Sequence, residues 1–309
     1  MRDPGTSPAL GIGILHNPVV PDLLRKDPGL VDYVSIMPDM FWTDRGPDAN
    51  GAAPHRDVSG SGRFVELDSW IEFIDWAAAR FPLVAHSIGL SLGSAEFSDD
   101  AYVEQLGRWH RRYRFLWHSD HLSFAQVRSA SGYEQHAGMA VPLPYDFNVL
   151  ELVTSRIKAL GPHIPSPFLV ENAVVYLTFA EQDMTEPKFL NALARDSGCA
   201  LLLDLHNLYT NARNHHFDAS AFLRELDLDA VVEVHIAGGN EFAGMYTDSH
   251  AGPCPEPVWA LLEEIMPRTP NLKGVTFEFH DSYFPRFGAD GVRAELQRAR
   301  AVWSRYRSQ

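Results

Sequence analysis

Eight short apolar runs recur along the chain, and each is followed by polar residues and then by a segment with helical periodicity. The runs are GIGIL from Gly11, DYVSIM from Asp32, PLVAH from Pro82, RFLWHSD from Arg114, PFLVEN from Pro167, ALLLDLH from Ala200, VVEVHIAG from Val231 and GVTFEFH from Gly274. Near-continuous hydrophobicity is typical of parallel strands that are buried on both faces. Eight strand-helix units in 309 residues therefore predict an α/β protein, a single-domain (β/α)8 TIM barrel.

The segments between the runs agree with this prediction. The second predicted helix places Trp70, Phe73, Ile74, Ala77 and Phe81 on one face, and Pro255 and Pro257 suit the start of the seventh. An open, doubly wound sheet is the alternative architecture. That fold usually has a phosphate-binding glycine turn after its first strand, and GIGILHNP has no third glycine that opens a helix. The barrel is therefore favoured.

One long polar stretch interrupts the alternation. Residues 43–63 are rich in Gly, Pro and Asp and follow the second predicted strand. We interpret this stretch as an insertion within the single domain 1–309, either a plain loop or a lid.

Charge and composition limit the partners. The formal net charge is -14, whereas nucleic-acid-binding proteins usually carry a basic face, so DNA and RNA are not expected partners. The N-terminal MRDPGTSPAL lacks the apolar core of a signal peptide, and the chain has no run of about 18 apolar residues that could span a membrane, so we expect a cytoplasmic protein. The two cysteines form neither a disulfide framework nor a zinc-binding pattern.

Side chains that can bind metal stand at or just after nearly every predicted strand end. They are His16, Asp39, His86, Asp120, His121, Glu171, Asn172, Asp204, His206, His235, Asp248, His250, Glu278, His280 and Asp281. The carboxyl ends of the strands form the active site of a TIM barrel, so these groups are expected to lie together. Burying each of them without a partner would cost several kcal/mol. We therefore predict that they converge on metal ions.

Strand periodicity adds to this prediction because residues two apart share one face of a strand. The pairs with this spacing are Asp204 with His206, Glu233 with His235, and Glu278 with His280. If one member points into the mouth of the barrel, so should the other. For Glu233 a structural pairing with a lysine or arginine is the alternative.

The ligand types narrow the choice of metal. Nitrogen and oxygen ligands without thiolate suit Fe, Mn, Zn or Co, and the many histidines argue against Mg or Ca. The candidates outnumber the four ligands of one closed site. We therefore expect two or three ions, with a carboxylate such as Glu171 bridging a pair.

Seven motifs occur in a specific order. They are HSIGLSLGS at His86, SDHLSFA at Ser119, PLPYD at Pro142, VENAVVYL at Val170, LLLDLHNLYTNA at Leu201, VVEVHIAGG at Val231 and TDSHAGPCPEPVW at Thr247. In this order they resemble the multinuclear non-haem iron TIM-barrel family of MbnB and TglH. The resemblance extends from about Gly11 to Asp281.

The resemblance implies a barrel that holds two or three iron ions, Fe(II)/Fe(III), with O2 as co-substrate. Such an enzyme modifies a residue, often a cysteine, of a ribosomally synthesised peptide in natural-product biosynthesis, and a small partner protein presents the peptide. Carried over by position, the implied ligands are His86, His121, Glu171, His235, Asp248, His250 and Glu278.

The chain departs from the family pattern at two places. His206 stands where the family usually has an amide, in Asp204-Leu205-His206-Asn207, which makes His206 an additional candidate ligand. The family tends to have Glu-Trp-Asp after the eighth strand, where this chain has Glu278-Phe279-His280 followed by Asp281. We assign proton transfer, and thus a catalytic role, to Asp120, His280 and Asp281.

Two other functions remain open. A redox-silent hydrolase or isomerase on a related barrel would use two or three Zn or Mn ions to activate water. A catalytically silent subunit would only present a peptide to a partner. The acidic net charge favours a neutral or basic peptide wherever a peptide is bound.

Overall fold

Eight parallel strands close a barrel within the part of the chain that the computed structural model describes, residues 8–46, 62–94, 99–128 and 134–307. These strands, β1 to β8, are Gly11–Leu15, Tyr33–Ile36, Leu83–Ser87, His118–His121, Phe168–Glu171, Ala200–Asp204, Val231–Ala237 and Gly274–Glu278. Each strand pairs with its neighbours in chain order, and β8 pairs with β1 from Gly274 opposite Gly11. Every predicted apolar run overlaps one of these strands, which confirms the TIM barrel.

The helices of the described residues surround the barrel. They are, from α1 to α9, Val20–Lys26, Asp68–Ala78, Asp100–Tyr113, Phe147–Leu160, Glu186–Ser197, Leu205–His215, Ala219–Glu225, Glu256–Ile265 and Phe284–Arg307. The predicted apolar face of α2 buries Phe73, Ile74 and Ala77. Helix α8 begins at Glu256, directly after its N-cap residue Pro255. No helix in this part of the chain combines the length and apolar character needed to cross a bilayer.

Antiparallel hairpins follow β2, β4 and β7 at the carboxyl-terminal rim of the barrel. They pair Trp42–Asp44 with Phe64–Glu66, Phe124–Arg128 with Glu134–Val141, and Asn240–Phe242 with Met245–Thr247. The insertion predicted at 43–63 begins and ends in the first hairpin, and residues 47–61 lie outside the described part of the chain.

The barrel interior has an apolar lower layer beneath a polar upper layer. Tyr33, Trp117, Leu169 and Leu202 pack together in the lower layer. Side chains alternate along a strand, so Glu171 lies one layer above Leu169, and the other strands likewise bring polar residues to the rim. This alternation puts the candidate ligands above a closed apolar base.

Candidate metal centre

Glu171 lies among three histidines from three other strands. Its Oε2 atom is 3.4 Å from His86 Nε2 and 3.3 Å from His121 Nε2, and its Oε1 atom is 4.0 Å from His235 Nδ1. Possible ligand atoms of His86, Glu171 and His235 all lie within 4.8 Å of one another, and all three side chains are buried. We call this set, with His121, the first position.

The hydrogen bonds of His86 leave its Nε2 atom free for this position. Ser119 Oγ donates to the carbonyl oxygen of Ala85 at 3.2 Å and lies 2.9 Å from His86 Nδ1. Because the one hydroxyl proton of Ser119 is used in the first contact, its oxygen accepts from His86 Nδ1-H. The lone pair of His86 therefore lies on Nε2, which is the atom that faces Glu171.

A second group shares His235 with the first. Asp204, His235 and Glu278 form a buried set whose possible ligand atoms lie within 4.8 Å of one another, and His235 Nδ1 is 2.9 Å from Glu278 Oε1. Asn172 fixes the end of β6 because it exchanges two hydrogen bonds with the backbone of Asp204, at 2.8 and 2.9 Å. We call Asp204, His235 and Glu278 the second position.

A third group lies on the other side of Glu278. Asp248 Oδ1 is 2.9 Å from His206 Nδ1 and 3.0 Å from His250 Nε2. His250 Nε2 is also 3.3 Å from Glu278 Oε2. Glu278 thus reaches the second position with one carboxylate oxygen and the third position, His206, Asp248 and His250, with the other.

Several of these buried atoms have no hydrogen bond within the described residues. Glu171 Oε2, Asp204 Oδ2 and His235 Nδ1 are each buried without such a partner there, although other ligand atoms lie nearby. An unpaired buried polar atom costs about 1–3 kcal/mol, and ligands of one ion bound at about 2.0–2.2 Å lie roughly 3 Å apart. The spacing, the mixed N/O donors and the missing hydrogen bonds all fit bound metal ions.

Without a cation, the carboxylates hold protons on two of the histidines. Burial lowers the pKa of His250, but Asp248 and Glu278 outweigh it and raise this pKa to about 10. Burial likewise opposes protonation of His235, yet its neighbouring carboxylates, Glu278 first, raise its pKa well above the ordinary value. The protons on these two imidazoles therefore supply the positive charge that balances the carboxylates, and metal binding would release them.

The remaining carboxylates repel one another. Burial raises the pKa of Glu171 well above its usual range, and the charges of Asp204 and Glu278 raise it further, against the opposing effect of His235. Burial, together with Glu278 and Asp248, raises the pKa of Asp204 to about 6. So many acidic groups in one buried cluster need positive charge beyond that of the histidines.

The three residues predicted to be catalytic lie beside this cluster. Asp120 is buried, and its carboxylate accepts hydrogen bonds from the backbone N-H groups of Leu90 and His121 at 3.1 and 2.7 Å. The side chains of His280 and Asp281 are 59% and 40% exposed and contact each other at 3.3 Å. The structure thus brings the predicted ligands together but places His280 and Asp281 on the exposed rim.

The expectation that Asp204 and His206 share a strand face is wrong. Strand β6 ends at Asp204, and His206 belongs to α6, which begins at Leu205. Asp204 is the N-cap of this helix, since its Oδ1 accepts a 2.7 Å hydrogen bond from the backbone N-H of Asn207. Both side chains still face the centre, one from a strand end and the other from the first turn of a helix.

The other two pairs behave differently. Glu233 and His235 are both buried inside the barrel. Glu233 accepts hydrogen bonds from Trp117 and Thr276 and lies 3.3 Å from the Tyr33 hydroxyl, so the alternative of a lysine or arginine partner is wrong. Glu278 is buried, but His280 lies beyond the end of β8 and is exposed. The side-chain alternation stops where the strand stops.

The ligand set implied by resemblance omits two residues that the structure places at the centre. Asp204 belongs to the second position, and Asn207 Nδ2 is 3.4 Å from Glu171 Oε1. Asp204 was visible as a carboxylate at a predicted strand end. Asn207 carried no such signal, because its position depends on where α6 begins. In contrast, His16 lies apart from the centre, among the rings of Phe41, Trp70 and Phe73.

Solved structures with the same fold cover nearly the whole chain at low identity. Endonuclease IV from Thermus thermophilus aligns at a TM-score of 0.53 and 15% identity, over 96% of this chain and 100% of that one. The IOLI protein with a bound zinc atom aligns at a TM-score of 0.56 and 12% identity, over 97% and 100%. D-psicose 3-epimerase from Clostridium cellulolyticum aligns at 0.55 and 11%, over 96% and 98%. These likenesses show the TIM-barrel fold.

Sequence comparison gives a more specific relationship. A UPF0276 protein of Caulobacter vibrioides is 31% identical over 294 residues, which cover 95% of this chain and 94% of the relative. A UPF0276 protein of Rhizorhabdus wittichii is 33% identical over 254 residues, 82% of this chain and 81% of the relative. The model of the RiPP precursor modification enzymes MbnB/TglH/ChrH matches residues 62–304, which contain every residue of the three positions. The chain therefore belongs to the MbnB/TglH/ChrH family of RiPP precursor modification enzymes.

Proposed function

We propose that this protein is an iron-dependent enzyme that uses O2 to modify a residue, such as a cysteine, of a ribosomally synthesised peptide. The observation that carries the proposal is the double contact of Glu278, which lies 2.9 Å from His235 Nδ1 and 3.3 Å from His250 Nε2 with its two oxygens. A carboxylate in this position joins adjacent ion sites, which supports a multinuclear centre. The family description supports a peptide precursor as the substrate.

The ligand chemistry supports iron. The three positions supply imidazole nitrogens and carboxylate oxygens, a donor set suited to non-haem iron. Ferrous iron, when bound, supplies the electrons that reduce O2. Glu171 and Glu278 would each hold two ions. His235 lies between the first and second positions, and each of the remaining ligands would belong to one position.

The exposure of the ligands indicates where the peptide would approach. The side chains of His86 and His235 are 3% and 0% exposed, whereas those of His121 and His250 are 25% and 26% exposed. The centre is therefore closed toward the barrel interior and open toward the rim. His280 and Asp281 lie on this rim, where we assign them the transfer of protons to or from the substrate.

The peptide and its presentation are part of the same proposal. The net charge of -14 favours a neutral or basic precursor peptide, because like charges would slow its approach. We propose that a small partner protein presents this peptide at the open rim.

The test is metal analysis and O2 consumption of protein purified without oxygen. We expect two or three irons per chain, a Mössbauer spectrum of coupled high-spin iron, and O2 uptake that depends on the precursor peptide encoded near the gene. A single equivalent of zinc with no O2 uptake would contradict the proposal. Activity without O2 that zinc restores would instead identify a redox-silent hydrolase or isomerase.

A double variant separates an enzyme from a silent presenting subunit. Replacing His86 and His235 by Ala should abolish peptide modification while the fold persists. His215→Ala is a matched control, because His215 lies in α6 and contacts the Val175 carbonyl instead of the centre. Full modification of the peptide by the double variant would show that this chain only presents it.

A further inference from the structure

A buried carboxylate lies directly beneath the metal centre. Glu233 and His235 are both on β7, two residues apart, and both are 0% exposed. Glu233 Oε1 is 3.3 Å from His235 Nε2, the ring nitrogen that faces away from Glu278 and Glu171. Glu233 therefore contacts the ligand side chain without reaching the ion positions.

The donors around Glu233 define it as an acceptor. Trp117 Nε1-H can only donate, and it lies 2.6 Å from Glu233 Oε2. Thr276 Oγ1 donates to Glu233 Oε1 at 2.6 Å and accepts from the hydroxyl of Tyr33 at 2.7 Å. Both carboxylate oxygens therefore receive hydrogen bonds, so Glu233 acts as an acceptor toward its neighbours.

The chain makes room for this network. The ring of Tyr33 lies in the barrel interior, where a Cβ atom on Gly13 or Gly274 would come within 2.4 or 2.5 Å of Tyr33 atoms. Any other residue at these two positions would displace the tyrosine. The hydroxyl of Tyr33 is thereby held against Thr276, and Thr276 against Glu233.

An acceptor at this place determines which nitrogen of His235 carries the proton. Since Glu233 Oε1 accepts from Nε2, this nitrogen would keep its proton when metal binds, and Nδ1 would be the nitrogen that releases its proton and offers a lone pair toward the ion positions. Nδ1 is buried without a hydrogen bond to any described residue and lies between Glu278 Oε1 and Glu171 Oε1, at 2.9 and 4.0 Å. This is the geometry of a carboxylate-histidine-metal arrangement.

We propose that Glu233 is a positioning residue that keeps His235 in the Nε2-H tautomer, so that His235 binds metal through Nδ1. This inference rests on the metal centre of the proposed function, but it requires neither iron nor O2. It can therefore be tested with Zn²⁺ and Co²⁺, which report on the ligands without redox chemistry.

The first test uses the wild-type protein loaded with Zn²⁺ and labelled with ¹⁵N in its histidines. Long-range ¹H–¹⁵N correlation spectra distinguish protonated from metal-bound ring nitrogens. We expect a proton on His235 Nε2 and zinc on Nδ1. Zinc on Nε2, or an unprotonated Nε2, would overturn the proposal whatever any variant does.

The second test is Glu233→Gln, which keeps the size of the side chain but replaces one acceptor oxygen by an amide NH2. That NH2 would face either Trp117 Nε1-H or the Thr276 and His235 donors, so one donor would meet another. We expect Zn²⁺ affinity to fall about 10–100-fold and the visible Co²⁺ spectrum to shift. Glu295→Gln is the matched control, since Glu295 is a buried carboxylate of α9 that accepts from the backbone of Cys254.

The outcomes separate this inference from the function. A folded Glu233→Gln protein with wild-type Zn²⁺ affinity and an unchanged Co²⁺ spectrum would overturn the positioning role. Wild-type protein that shows the expected tautomer but consumes no O2 with iron would leave the positioning role in place and contradict the oxidative function. Wild-type protein that binds neither Zn²⁺ nor Co²⁺ would contradict both.

Discussion

Asp204 caps α6 with one carboxylate oxygen and offers the other to the centre: Oδ1 accepts a 2.7 Å hydrogen bond from Asn207 N-H, while Oδ2 is buried and hydrogen-bonds to no described residue. The variant Asp204→Asn should separate these two tasks, because asparagine caps helices about as well as aspartate but is a neutral ligand. We expect metal affinity at the second position to fall by roughly tenfold or more. The free energy of unfolding of the metal-free protein should not fall, because asparagine keeps the cap and removes a buried carboxylate whose raised pKa of about 6 disfavours its charged form at neutral pH. Isothermal titration with Zn²⁺ and urea unfolding measure the two effects.

The control for Asp204→Asn is Asp146→Asn. Asp146 caps α4 through the same type of bond, from Val149 N-H at 2.8 Å, and belongs to none of the three positions. It should leave metal affinity unchanged. If Asp204→Asn binds zinc as wild type does, Asp204 is a cap and not a ligand.

Glu171→Gln should have opposite effects on the metal-free and metal-loaded protein. Its raised pKa, caused by burial and by the charges of Asp204 and Glu278, means that the ionised form is disfavoured in the folded state. For an acid with a raised folded pKa, stability is lost as pH rises above the unfolded value. In EDTA at a pH of about 8 the neutral variant should therefore unfold at higher temperature than wild type. With metal the order should reverse, because the variant lacks a bridging ligand.

Thermal unfolding of both proteins, with EDTA and with Zn²⁺, measures this reversal in the order of their unfolding temperatures. A variant that is less stable than wild type under both conditions would indicate that Glu171 stabilises the fold independently of metal. A variant that gains as much stability from Zn²⁺ as wild type does would exclude Glu171 from the first position.

The alternation of strands and helices could be predicted because barrel strands are buried on both faces and leave continuous apolar runs. The boundary at Asp204 could not be predicted in the same way. The Asp-x-His spacing is compatible with the side-chain alternation of a strand. The strand ends at Asp204 because Asp204 caps the following helix by accepting from the backbone N-H of Asn207, and this contact is not visible in the spacing. A single such boundary decides whether His206 extends a strand or begins a helix.

The partners of Glu233 show a second limit. Tyr33 and Trp117 lie 200 and 116 residues away along the chain, and only closure of the barrel brings them to this carboxylate. The alternation of side chains in the sequence around Glu233 predicts the strand and the face of that strand on which Glu233 lies. It does not reveal that the neutral side chains of Tyr33, Trp117 and Thr276 surround Glu233 in place of a lysine or arginine.

The variant His206→Ala should remove metal from the third position alone. His206 contacts Asp248 at 2.9 Å from α6, and it belongs to neither of the two buried groups that contain Glu171 or Asp204. We expect bound metal to decrease by about one equivalent, while the first two positions stay occupied. Elemental analysis after dialysis measures the loss, and His215→Ala on the same helix is the control. Loss of all bound metal would show that the three positions do not fill independently.

The variants His280→Gln and Asp281→Asn should lower the rate without removing metal. Both side chains are exposed on the rim and contact each other, so neither replacement disturbs the buried ligands. If they transfer protons, each change should slow peptide modification by about 10²–10⁴-fold at constant metal content. Unchanged rates would mean that these residues have no catalytic role, and lost metal would mean that they support the centre instead.

His16 should make the metal-free protein sensitive to acid. Burial among Phe41, Trp70 and Phe73 lowers the pKa of His16 to about 3, and its Nδ1 atom is buried without a hydrogen bond in the described part of the chain. Because the folded pKa lies below the unfolded value of about 6.5, protons bind preferentially to the unfolded chain. Stability from this group is complete above a pH of about 6.5 and is lost as the pH falls toward about 3.

The variant His16→Gln, which does not titrate, isolates this effect. Urea unfolding in EDTA at pH values of about 7 and about 5 gives a pH-dependent loss for each protein, and the loss should be about 2 kcal/mol smaller in the variant. Any packing cost of the replacement cancels, because each protein is compared with itself. His216→Gln, at an exposed histidine, is the control and should lose as much as wild type. Equal losses in His16→Gln and wild type would show that His16 becomes protonated within the folded protein.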